Sequence, residues 1–133
     1  MADLQRLEAL AWLRRARDDL GAAAKLLSGT DPYPATASYH CQQAAEKALK
    51  AVIAGTGDAI PKTHDLRVLL GRCVAIDQSL DQFYDACDEL TPYSTEFRYP
   101  SENADPSPNQ IRCALALSEG IVAAVALPTE DTG

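Results

Sequence analysis

Leu4, Leu7, Leu10, Leu13, Leu20 and Leu27 recur at spacings of three, four and seven. That period suits one structure only, an amphipathic α-helix, here over residues 3–28. Gly29, Pro32 and Pro34 interrupt it, since proline fixes φ and is tolerated only in a helix's first turn. Residues 35–54 resume helical spacing with Ala45, Ala48, Leu49 and Val52 on one face, and stop at Gly55-Thr56-Gly57-Asp58. A third stripe, Leu66, Leu69, Leu70 and Cys73, follows a start at Lys62-Thr63-His64-Asp65, where Thr63 is suited to cap and Asp65 to face the helix dipole. A fourth, Leu80, Phe83, Tyr84, Cys87 and Leu90, is closed by Thr91-Pro92. The last, over residues 109–127, carries Ile111, Leu115, Ile121, Val122 and Val125. No strand-like alternation occurs. The pattern predicts an all-α chain, an up-and-down helical bundle of four to five helices, as one domain over residues 1–127 with a flexible tail at 128–133.

A chain of 133 residues can bury a core without metal or disulfide staples. Cys41, Cys73, Cys87 and Cys113 lie far apart with no C-x-x-C pair, so they read as reduced core residues, and no metal or cofactor is called for. No apolar run is long enough to span a membrane and no signal segment is evident, so the expected location is cytoplasmic. The net charge of −7 argues against broad, non-specific DNA or RNA binding, which needs surplus Lys and Arg. The charge is uneven: residues 1–76 hold ten basic and eight acidic side chains, a net of +2, while residues 77–133 hold two and eleven, a net of −9. Any anion site must draw on the first half, plus Arg98 and Arg112.

Three stretches hold residues suited to chemistry. On the second helix His40, Gln43, Lys47 and Lys50 follow spacings of three, four and three and line one face, either as a solvated stripe with a Glu46–Lys50 pair or as a donor-rich binding surface. Lys62 and His64 stand at a helix start able to hold an anion, though His64 also suits a purely structural role. In the proline-rich stretch 92–108, Tyr93 and Tyr99 flank Arg98, whose guanidinium either grips a phosphate beside stacking rings or pairs with Glu96 or Glu102.

The run Tyr39-His40-Cys41-Gln42-Gln43-Ala44-Ala45-Glu46-Lys47-Ala48-Leu49-Lys50-Ala51, then Pro61-Lys62-Thr63-His64-Asp65-Leu66, Leu90-Thr91-Pro92-Tyr93 and Arg98-Tyr99-Pro100 resemble, in order and spacing, the HEPN domain over roughly residues 5–126. The resemblance implies a HEPN-like bundle that pairs as a homodimer. It also implies a nucleotide- or RNA-related binding module, the partner of a minimal nucleotidyltransferase in a toxin–antitoxin-like pair. On this reading His40, Gln43, Lys47, Lys50, Lys62, His64, Tyr93, Arg98 and Tyr99 bind the ligand. The family's metal-independent ribonucleases carry an Arg with a His after a gap of four to six residues. Here Arg98 is present, but Asn103, Ala104 and Asp105 occupy the histidine's positions. A ribonuclease is therefore the alternative, and it would have to take its imidazole from His40 or His64 to work beside Arg98.

Overall fold

A computed structural model describes residues 2–100 and 104–125. Glu102, Asn103 and the tail at 128–133 lie outside the described residues. Five α-helices form among them: α1 (Ala2–Leu27), α2 (Pro34–Ala54), α3 (Leu66–Ile76), α4 (Tyr84–Leu90) and α5 (Pro108–Ala124). Short 3-10 segments, Gln78–Phe83 and Thr91–Ser94, lead into and out of α4. The fold is the all-helical bundle expected, and no described residue is in a strand.

α2 is the axis of the bundle. It packs against every other α-helix and has thirteen buried residues, so it is covered nearly all round. Its small side chains make this geometry possible: Ala37, Ala44, Ala48 and Ala51 are fully buried, and α1 meets them with Ala9, Ala16 and Ala23. Small groups on both helices, with Leu13 among them on α1, let α1 and α2 pack along their length. They run antiparallel, the end of α2 at Gly55 lying beside Ala9 of α1. α5 completes the cover, with Ser118 Oγ donating to the Cys41 carbonyl at 2.7 Å. The 55–65 connection folds back along α2, so α3 starts level with its middle, and Cys73 Sγ donates to the Leu49 carbonyl at 3.2 Å.

Several local expectations are corrected. α1 buries Ala9, Leu13, Ala16, Ala23 and Leu27, whereas Leu4 and Leu7 are 67% and 62% exposed, because the leucine stripe and the alanine seam diverge in the first two turns. α3 is capped by Asp65, whose carboxylate accepts from Arg67 N at 3.0 Å, and Thr63 instead accepts from Asp65 N. Thr91 does not end helical structure but carries it into the 3-10 segment, its hydroxyl donating to the Cys87 carbonyl and accepting from Leu66 N. Cys41, Cys73 and Cys87 are buried thiols pushed up to about 12, first by desolvation, but Cys113 is exposed. Among the described residues no helix is long and apolar enough to cross a membrane.

If the alanine seam carries α1, Leu13→Ala should cost about 2–5 kcal/mol, while Leu4→Ala stays within about 0.5 kcal/mol. Urea unfolding of the two variants measures both, and equal losses would mean that the first turns are packed.

Candidate functional site

Burying α2 brings ionisable side chains out of water, and each buried carboxylate gathers its own partners. Asp19 of α1 accepts from His40 Nδ1 at 2.8 Å on one oxygen and from Lys47 Nζ at 2.7 Å on the other. Glu46 of α2 repeats the arrangement: Oε1 accepts from His64 Nδ1 at 2.7 Å and Gln42 Nε2 at 3.1 Å, and Oε2 from Lys50 Nζ at 2.9 Å. A carboxylate can only accept, so Nδ1 carries a proton in both rings, and the tautomer with its single proton there offers Nε2 as an acceptor. Burial opposes ionisation of Glu46 most strongly. The hydrogen bonds from Lys50, His64 and Gln42 and the ammonium's field together outweigh it, so its pKa lies below the ordinary 4.5.

The loop after Thr91–Ser94 builds the third part. Phe97 has φ +67°, a left-handed conformation rarely taken by a bulky residue and costing on the order of 1–3 kcal/mol. Its ring lies 6.0 Å from that of buried Tyr93, whose hydroxyl accepts from Gln110 at 3.1 Å. The turn at Phe97 delivers Arg98 onto α2, with the guanidinium 4.6 Å from the Tyr39 ring centre and 5.7 Å from that of Tyr99. Ala35, Thr36, Tyr39, Phe97 and Arg98 enclose a cavity of about 220 Å3. The Tyr39 ring also meets His40 edge to face at 5.7 Å, so Arg98 and His40 share one aromatic neighbour.

The expected residues divide accordingly. His40, Arg98 and Tyr99 come together around Tyr39. Tyr93 lies beneath them as a buried prop rather than an open stacking surface. His64 and Lys50 meet at Glu46, seven residues or about 10 Å further along α2 than Tyr39. Lys47 and Lys50 are each held by a carboxylate, and Gln43 is buried with its amide donating to Gln42 at 2.8 Å. Lys62 is exposed on the connection before α3. Three contributors were not singled out from the sequence: Asp19, Tyr39 and the role of Phe97. Asp19 was readable in principle, because it stands three residues after Ala16 and four before Ala23, inside the register of the α1 seam. Among the described residues no group of three or more His, Cys, Asp or Glu is arranged to hold a metal ion.

A family model described as HEPN domain matches residues 9–127. A solved structure, the crystal structure of TT1696 from Thermus thermophilus, is similar to the chain at 31% sequence identity with a TM-score of 0.78, covering 89% of this chain and 95% of that one. No curated protein matches it.

Because the folded-state pKa of Glu46 is depressed, its contribution to stability is complete above the ordinary 4.5 and is lost as pH falls through the lower folded value. Glu46→Gln should therefore weaken the fold at neutral pH and flatten its loss of stability on the acid side of 4.5. Lys50→Ala, which strips a partner from a buried carboxylate, should cost on the order of 3 kcal/mol at pH 7. Urea midpoints across pH test both, and parallel acid profiles for wild type and Glu46→Gln would contradict the assignment.

Proposed function

The chain belongs to the HEPN domain family, and from that footing we propose that it binds a nucleotide or a single-stranded RNA segment at the cavity under Arg98. The observation that carries this reading is the state of Arg98. Its guanidinium is pre-set on an aromatic ring at a cavity wall, and its one hydrogen bond among the described residues is a long one, 3.4 Å to the Ser94 carbonyl. A guanidinium laid on an aromatic face can grip a phosphate through its N–H edge. Tyr99, 70% exposed, is the ring available to stack on a base, and His40, which shares the Tyr39 ring with Arg98, supplies the imidazole for a further hydrogen bond. Lys47 and Lys50 act at one remove, by holding the carboxylates, and Lys62 meets only a longer ligand.

One observation favours a second reading, a metal-independent ribonuclease. The Asp19–His40 pair orients an imidazole whose free Nε2 can take the proton of a ribose 2′-hydroxyl as that oxygen attacks the adjacent phosphorus and the 5′-oxygen departs, while Arg98 steadies the charge on the phosphoryl oxygens. His40 would thus do the work that the family's usual motif gives to a histidine after the arginine. The family resemblance also implies a homodimer and a minimal nucleotidyltransferase as partner in a toxin–antitoxin-like pair, with the acidic residues of the second half meeting a basic partner surface.

Titration calorimetry with nucleotides and a short single-stranded RNA should give binding that Arg98→Ala weakens roughly ten- to hundredfold. Arg67→Ala, on the α3–α4 face where Arg67 pairs with Asp88, should leave it unchanged. Absence of binding, or equal loss in both variants, sinks the reading. For the ribonuclease, cleavage of tRNA or mRNA should vanish in His40→Ala and Arg98→Ala and persist in His64→Ala; cleavage that survives in all three comes from a contaminant.

A further inference from the structure

The cavity under Arg98 has a neighbour. Ala35 and Thr36 also wall a second cavity of about 190 Å3, completed by Pro32, Tyr33, Pro34 and Asp105. We propose that the two form one site for a ribonucleoside monophosphate unit, with its single phosphate on Arg98 and its nucleoside between Tyr33 and Asp105. The proposal rests on the nucleotide-binding reading and narrows it.

Charge decides the number of phosphates. The half-buried lysines of α2 are held by Asp19 and Glu46, Arg67 by Asp88, and Arg72 by Asp58 at 3.7 Å, and among the described residues that line either cavity Arg98 is the one cation. A second or third phosphate would extend beyond Arg98, away from the nucleoside, with no further ammonium or guanidinium among the described lining residues to offset its desolvation. Each cavity is small beside the usual range for a ligand pocket, roughly 300–1,000 Å3, which suits a compact ligand spread over both.

Chemistry decides what fills the second cavity. A carboxylate offers acceptors and no donors, so Asp105 suits a group rich in O–H or N–H, and the vicinal hydroxyls of ribose fit that need. The exposed Tyr33 ring, with Pro32 and Pro34 beside it, gives an apolar surface on which a base can lie. A deoxyribose lacks one of the donors, and so this acidic side chain selects ribose.

Titration calorimetry of AMP, dAMP, ADP and ATP against the wild type, Arg98→Ala and Asp105→Ala tests this. AMP should bind tightest, dAMP roughly three- to tenfold more weakly, and ATP weakest. Asp105→Ala should bring dAMP close to AMP and leave ATP weaker than either, whereas Arg98→Ala should abolish binding of all four. A 5′-phosphorylated tetraribonucleotide in parallel identifies the source of the unit: tighter binding than AMP assigns an RNA 5′ end, weaker binding a free nucleotide, and both carry the proposal. ATP binding as tightly as AMP, or a ribose preference untouched in Asp105→Ala, overturns it while leaving the nucleotide-binding reading in place. If no nucleotide binds, both fall together.

Discussion

Burying a helix that still carries charge is the constraint to which the rest of this molecule answers. α2 is covered on nearly every side, yet it holds His40, Gln42, Gln43, Glu46, Lys47 and Lys50. Moving such groups out of water costs several kcal/mol per ion unless their hydrogen bonds are replaced. The replacement is complete among the described residues, where no buried side-chain nitrogen or oxygen lacks a partner. It is achieved twice with the same parts, a carboxylate between an imidazole and an ammonium. One copy fastens α1 to α2. The other ties the connection before α3 to α2, with the His64 side chain 68% exposed and the Glu46 side chain only 4%.

The same network governs what remains for a ligand. A count of basic residues by sequence makes the first half look like the anion-binding half. Most of those charges near α2 are consumed internally. The guanidinium of Arg98, in the half with a net of −9, instead lines a cavity beside α2. Net charge by segment therefore misleads in a small bundle, because the relevant quantity is the charge not already neutralised by a neighbour at about 3 Å.

Helix number and helix order were legible in the sequence, because apolar spacing is a property of each helix alone. The exposed Leu4 and Leu7 were not. Which of two overlapping stripes is buried depends on the alanines of the partner helix, and spacing within α1 carries no record of them. Likewise the row His40, Gln43, Lys47 and Lys50 is real as a geometric row, but its neighbours set its meaning: Asp19 reaches it across α1, and Gln43 turns inward. The proline-rich stretch announces itself as irregular by composition alone. The positive φ at Phe97, which aims the arginine, has no signature in a residue type that ordinarily avoids it.

That strained residue also bears on how binding would be driven. A flexible arginine on a free loop loses rotamer and backbone entropy when it grips a phosphate, at roughly 0.5–1.5 kcal/mol per immobilised side chain. Here Phe97 is propped on Tyr93, and Tyr93 is tied through Gln110 to α5, while Arg98 already lies on Tyr39 of α2. The ordering has been done during folding and its cost offset by core packing. A single cation without lysine support can then hold a phosphate, because little of the interaction is spent on fixing its position.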